Sequence, residues 1–298
     1  MDEFGKPYVR VSSRPDHNQL TAIDSQSQII RQALLSPSPQ VFLLYTRLAS
    51  LKPADGNDGR PFRGLGCVDS KTDNLSVKLE INPPAAAAPS TVKLTGRSRS
   101  AKSKGKVRKD ESKILEFELA QDGSALRHRS GDTGSVLWRA RAGTGLLSMV
   151  LGPLVRRYTA TDLPELIPLI RKNISRAVPP SSSSHAYMIA AESLDWTLPA
   201  HRQLPHETLS DPPDLLLVVD CIYHPSLIPP LIDTLTTLAV PQRTAVLVLA
   251  ELRAEDVIRE FLERWVGGKG WEVWSVGGGH EDGMMGARFG MWVGWREV

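Results

Sequence analysis

With 298 residues, 41% hydrophobic and 23% charged, the chain can bury a large core and has the composition of a soluble globular protein. No run of 18 apolar residues occurs, which argues against a membrane-spanning helix. The opening MDEFGKPYVR lacks the apolar core of a secretory leader, and there are only two cysteines, Cys67 and Cys221. The expected compartment is the cytoplasm, with the nucleus as the alternative. The net charge of +3 is local in origin, because residues 97–109 (RSRSAKSKGKVRK) hold seven Lys/Arg and no acid, leaving the rest of the chain at −4.

Residues 1–28 are polar and weakly patterned and read as a mobile arm. Two apolar runs follow, 29–35 and 41–48, separated by the breaker Ser36-Pro37-Ser38-Pro39. Leu75–Ile81 and Ile114–Leu119 alternate with period two, the mark of half-buried strands, and are expected to pair in a small antiparallel sheet. Between them residues 83–112 are low in complexity and too poor in apolar side chains to offset their ordering entropy, so a disordered basic insert is expected.

From about residue 135 strands alternate with helices. Tyr158–Asp162 reads as a strand, Leu163–Ile174 as a helix with Pro168 near its start, and Ala186–Ala190 as a strand. Leu215–Val219 (LLLVV) and Thr244–Ala250 (TAVLVLA) are continuous apolar runs, as expected of strands buried on both faces. Helices are expected at 226–238 and 254–266, and strands at 271–276 and 289–295. This alternation predicts an α/β fold, with a doubly wound, mostly parallel sheet, an antiparallel C-terminal strand and a β-rich N-terminal extension. The expected division is 1–130 and 131–298.

In such a sheet ligands bind beyond the carboxyl ends of the strands. The residues there are Gly143-Thr144-Gly145, Asp162, Asp195-Trp196, Asp220 and Glu251. Gly143 and Gly145 let the backbone approach a ligand and open a helix at Leu146. Asp162, 19 residues after Gly143, is spaced to accept two ribose hydroxyls, although a plain structural turn remains open for the glycines. Asp195 and Trp196 suit a purine, by accepting from its amine and by stacking; a loop-packing role for Trp196 also remains open. Asp220 and Tyr223 follow the strongest buried strand and face the expected reaction centre; the rival role for Asp220 is to cap the helix near 226. Neither G-x-G-x-x-G nor G-K-[ST] is complete. The short glycine loop therefore favours S-adenosylmethionine, which has no phosphates, over a nicotinamide dinucleotide. No His/Cys/Asp spacing indicates a metal.

The strings GDTGSVLWRA (131–140), AGTGLLSMVLGP (142–153), YTATDLPELIPLIRKNI (158–174), LDW (194–196), DLLLVVDCIYHPSLIPPLIDTL (214–235) and ELR (251–253) together resemble the class I, seven-β-strand protein-lysine methyltransferases. The branch they are most similar to is the fungal ribosomal-protein lysine methyltransferases. The resemblance implies that Trp138 contacts the cofactor and that Arg141-Ala142-Gly143 wraps its methionine part. It also implies that Asp162 binds the ribose, that Trp196 flanks the adenine and that Val219 lines the cofactor pocket. Asp220 and Tyr223 would stand near the incoming lysine, whose neutral amine attacks the methyl carbon in line.

The chain departs from that pattern at one seam. Trp138-Arg139-Ala140 runs directly into Arg141-Ala142-Gly143, where the family has a helix, the central strand and an acid for the cofactor's amino group. The expectation is a deletion between Ala140 and Ala142 that removes the first strand and helix and impairs activity. Ser135–Trp138 is short and β-prone enough to substitute for the strand, but it would bring Arg139 and Arg141 where an acid is wanted. At about 4 Å and an effective dielectric near 20, a cation beside the sulfonium costs on the order of 4 kcal/mol. The alternative function is a catalytically inactive methyltransferase-like protein that binds a ribosomal or other protein partner. The basic segment 97–109 is a candidate for weak rRNA contact, with a solvated insert as its rival.

Overall fold

The computed structural model describes residues 21–24, 29–33, 36–50, 74–81, 113–121, 144–177, 188–268, 270–276 and 289–298. The basic insert 83–112 and the seam at 138–143 lie outside them. The N-terminal part contributes β1 (Thr21–Asp24), β2 (Ile29–Ala33), α1 (Pro37–Ser50), β3 (Asn74–Ile81) and β4 (Lys113–Ala120). There follow α2 (Leu146–Leu151), β5 (Arg157–Asp162), α3 (Ile167–Ala177), β6 (Met188–Ser193) and α4 (His206–Ser210). The chain then forms β7 (Leu215–Val219), α5 (Ile228–Leu238), β8 (Ala245–Glu251), α6 (Glu255–Gly267), β9 (Trp271–Val276) and β10 (Phe289–Arg296).

Three sheets result. The largest has the order β1-β2-β9-β10-β8-β7, and only its β7–β8 pair is parallel. A second sheet is the parallel pair β5–β6, and the third is the antiparallel pair β3–β4, running from Asn74↔Ala120 to Ile81↔Lys113. The α/β class and the pairing of the two alternating runs agree with the sequence. The single, mostly parallel sheet does not emerge: the parallel strands form two separate pairs. Among the described residues no strand lies between β5 and β7, so each keeps one strand neighbour.

Other departures are local. Residues 21–24 belong to the stretch expected to be an arm, yet they pair with β2, and β2 pairs with β9, so the N-terminal region extends the large sheet. The Ser-Pro breaker starts a helix instead of only ending a strand, since the fixed φ of Pro37 suits a first helical turn whose N–H has no partner. The third helix starts at Ile167 and not at Leu163, which places Pro168 within its first turn, and Leu163–Leu166 form a turn closed by Leu166 N–H on the Leu163 carbonyl.

The main core lies between the large sheet and α5 and α6, with α1 laid on α6. Phe261, Trp265 and Trp292 are completely buried; the Phe261 and Trp265 rings sit 5.4 Å apart, and Trp265 meets Trp271 edge-on at 5.7 Å. Gly294 on β10 makes the room, because a Cβ there would stand 2.6 Å from Cζ2 of Trp265. Truncating an aromatic buried this fully typically costs about 3–5 kcal/mol. A smaller cluster joins Leu119 of β4 to Met149 of α2 and so fixes the β3–β4 hairpin beside the glycine loop.

Candidate functional site

Each acid singled out in the sequence lies at or just past the carboxyl end of a parallel strand, as the doubly wound rule requires. Asp162 ends β5, half-buried, and its Oδ1 accepts the N–H of Leu163 at 2.9 Å. Asp195 follows β6 by two residues. The pairing Asp162↔Ser193 and the bond from Leu194 N–H to the Asp162 carbonyl (2.8 Å) bring these two strand ends together. Asp220 follows β7, and its N–H donates to the Leu249 carbonyl at 2.6 Å, which sets it beside the end of β8 and Glu251.

The loop after β6 has a fixed shape. Asp195 Oδ1 accepts both the N–H and the hydroxyl of Thr197, at 2.8 and 2.7 Å, while Gln203 Oε1 accepts the Asp195 N–H and Gln203 Nε2 donates to the Asp195 carbonyl. One carboxylate oxygen is thus committed to an Asx-type turn, and the other makes no hydrogen bond among the described residues. Trp196 is half-buried and packs against both the main core and the cluster of Leu194, Ala200 and Leu204. Its ring has a structural role whatever else it does.

On the glycine loop, Gly145 has φ of 81°, a left-handed conformation that favours glycine, and its carbonyl accepts the Ser148 hydroxyl at 2.6 Å. A Cβ at Gly145 would also press on Ile170 of α3 at 3.2 Å. The neighbouring Thr144 is fully buried, and its hydroxyl has no hydrogen-bond partner among the described residues. An orphaned buried hydroxyl costs stability, so it is a point where a polar ligand group would gain a partner. With six residues, α2 is too short to act as an N-terminal anion site. Trp138, Arg141, Ala142 and Gly143 lie outside the described residues.

Beyond β7, Val219 is half-buried and Asp220 is 1% exposed with φ of 54°. The helix-capping role for Asp220 is not realised: His224 caps the turn before α5 by accepting the Ser226 N–H, and Asp220 points elsewhere. Its Oδ1 accepts the Glu251 N–H at 3.3 Å, and its Oδ2 accepts from Nη2 of Arg253 at 2.6 Å. The same Arg253 reaches Glu251 Oε2 through Nε at 2.8 Å. Tyr223 is half-buried on the segment after Asp220, with Ile222 between them inserted into the main core. Cys221 is in no disulfide among the described residues, and its thiol donates to the Val219 carbonyl at 3.4 Å.

Two residues went unassigned in the sequence. Arg253 was visible only as part of the ELR string, two positions past a strand-end acid. Asn173, inside the α3 periodicity, is wholly buried and joins the end of β4 to the Thr144 carbonyl. Among the described residues no group of three or more His, Cys, Asp or Glu is placed to hold a metal, and no helix is long and apolar enough to cross a membrane.

Comparison with known proteins bears on the same stretch of chain. Residues 125–265, just under half of the chain, match the model of a family described as lysine methyltransferase. The protein-lysine methyltransferase METTL21E of Bos taurus is 34% identical over 87 residues, 29% of this chain and 28% of that protein. Its Mus musculus counterpart is 37% identical over 87 residues, 29% of this chain and 34% of that protein. The diaminohydroxyphosphoribosylamino-pyrimidine deaminase of Schizosaccharomyces pombe is 28% identical over 202 residues, 67% of this chain and 46% of that protein. The chain spans less than half the length of each of these relatives. The matched region supports a protein-lysine methyltransferase at family level, at low identity, and the mixed α/β architecture is consistent with it.

Proposed function

We propose that this protein transfers a methyl group from S-adenosylmethionine to a lysine of a protein substrate, and that the substrate is a ribosomal protein. The observation that carries the reading is the family match over 125–265. That range includes Asp162, Asp195, Trp196, Asp220, Tyr223 and Glu251, which the fold puts at the carboxyl ends of its parallel strands. The residues present fit the cofactor. Asp162 has the acceptor capacity for ribose hydroxyls, Asp195 keeps one carboxylate oxygen for an amine, and Trp196 offers an aromatic surface. Thr144 has a hydroxyl in need of a partner, and Val219 supplies an apolar wall. When bound, S-adenosylmethionine supplies an electrophilic methyl group. The protein's own share is to position and desolvate the lysine amine, with Asp220 and Tyr223 beside it.

We infer further that a segment is missing between Ala140 and Ala142 and that this weakens cofactor binding. Supporting it, β5 and β7 each have one strand neighbour among the described residues, whereas both flank a central strand in a complete doubly wound sheet. The basic segment 97–109 is proposed as a weak secondary contact to rRNA. The test is calorimetric titration of S-adenosylmethionine into this chain and into one with a central strand and helix restored, followed by transfer of labelled methyl to ribosomal proteins. The expected result is tighter binding, by at least about tenfold, in the restored chain, with the label on lysine. Equal affinity in the two would refute the missing segment, and absence of labelled lysine from both would refute the activity.

A further inference from the structure

Asp220 and Glu251 are 2% and 0% exposed at their side chains, yet a single guanidinium, that of Arg253, lies against both. Two carboxylates so close, with so little water, repel each other and lose hydration unless a cation stands between them. Arg253 supplies it, with Nη2 shared between Asp220 Oδ2 at 2.6 Å and Glu251 Oε2 at 2.7 Å, and Nε 2.8 Å from the latter oxygen. Its own side chain is 33% exposed, so the trio meets solvent through Arg253.

The backbone adds to the constraint. Asp220 adopts φ of 54°, a left-handed conformation that L residues visit at some cost, although Asp tolerates it better than most. Asp220 N–H is tied to the Leu249 carbonyl and Asp220 Oδ1 to the Glu251 N–H. Together with the Arg253 contact on Oδ2, these bonds fix both oxygens of the carboxylate. Strain held in place by surrounding bonds at a strand end is a feature of functional positions.

Resting on the methyl-transfer reading above, we propose that Arg253 is a positioning residue: its guanidinium, together with the Glu251 N–H, holds the Asp220 carboxylate in the one orientation it presents at the acceptor side of the site. The planar fork matters as much as the charge. An ammonium at residue 253 would keep the charge but lacks the rigid array of N–H donors through which Nη2 meets both acids while Nε holds Glu251. A shift of the acid by about 1 Å is enough to slow an oriented reaction by up to about a hundredfold.

The test compares the full chain with Arg253→Lys, Arg253→Gln and the double variant Arg253→Gln/Glu251→Gln. S-adenosylmethionine is used at saturation, and unfractionated ribosomal proteins and poly-L-lysine are the acceptor probes. Melting temperature, kcat and KM are read for each. Arg253→Lys should lower kcat by about tenfold or more, with acceptor KM and melting temperature close to those of the unaltered chain. The double variant restores the local net charge but not the fork, and should remain slow. Unaltered kcat in Arg253→Lys, or losses that merely follow the melting temperatures, or recovery in the double variant, would each overturn the positioning role. If the unaltered chain labels neither probe, the same variants are read in the chain with the central strand and helix restored; absence of labelled lysine there as well would refute the methyl-transfer reading itself, and this inference would fall with it.

Discussion

Asn173 offers the sharpest test of how the N-terminal hairpin is joined to the glycine loop. Its side chain, wholly buried on α3, accepts the Ala120 N–H at 2.7 Å and donates to the carbonyls of Ala120 and Thr144, each at 3.0 Å. Asn173→Ala removes three hydrogen bonds to main-chain groups of residues that are themselves no more than 3% exposed. An orphaned buried group costs about 1–3 kcal/mol, and water entering the vacated amide space would recover part of this, so the expected loss is about 3–5 kcal/mol. That is a large share of the 5–15 kcal/mol typical of a folded domain. Asn173→Asp should do no better near neutral pH. It keeps the acceptor for Ala120 N–H but turns a carboxylate oxygen toward two carbonyl oxygens. The assay is urea unfolding followed by far-ultraviolet circular dichroism, with linear extrapolation to water. A loss below about 1 kcal/mol in Asn173→Ala would mean that the hairpin and the loop are not held together through this side chain.

Two further outcomes follow from buried phenols. Burial pushes the Tyr158 phenol up from 10.0 to about 12. The folded state therefore favours the neutral ring, and the contribution is complete below about pH 10 and is lost as pH rises through about 12. Denaturant titrations should show Tyr158→Phe to be less alkali-sensitive than the unaltered chain across that window, by about 1–2 kcal/mol; identical alkaline slopes would contradict it. Tyr45 on α1 has a buried hydroxyl without a hydrogen-bond partner among the described residues, and its phenol is likewise raised by burial, with the charges of Glu255 and Asp256 adding to the effect. Tyr45→Phe should stabilise the chain by about 0.5–1 kcal/mol, and a lower melting temperature would show that the hydroxyl is satisfied in solution.

Much of the site could be read from strand ends alone. The run LLLVV announces β7 as a strand, and Asp220 then falls at its carboxyl end without further information; the burial on both faces that the run suggests is not seen among the described residues, where Val218 is buried and Leu215 is exposed at the end of the sheet. The same logic placed Asp162 and Asp195. What escaped depends on contacts distant in sequence. Arg253 reads locally as a solvated charge, and only the parallel pairing of β7 with β8 brings it back over an acid 33 residues earlier. Asn173 reads as a polar interruption of an amphipathic helix until a hairpin strand 53 residues upstream lies against it. Residues 21–24 are too short to show a period, so β1 is defined by its partner and not by its own pattern. The start of α3 differs because apolar spacing continues backward from Pro168 through a single turn, closed by Leu166 N–H on the Leu163 carbonyl, that precedes the helix at Ile167.

The indole rings carry a practical consequence for any spectroscopy on this protein. Of the seven tryptophans, 265, 271, 274, 292 and 295 all lie in α6, β9 and β10, while the hairpin, α2 and α3 have none. Intrinsic emission is therefore weighted toward α6, β9 and β10, with Trp138 and Trp196 as the contributors from outside them. With Trp138 and Trp196 replaced by phenylalanine, loosening of the hairpin from the glycine loop would change the amide dichroism while leaving the emission of the remaining five nearly still, so the two signals would separate the melting of the cofactor-side elements from that of the tryptophan-rich elements.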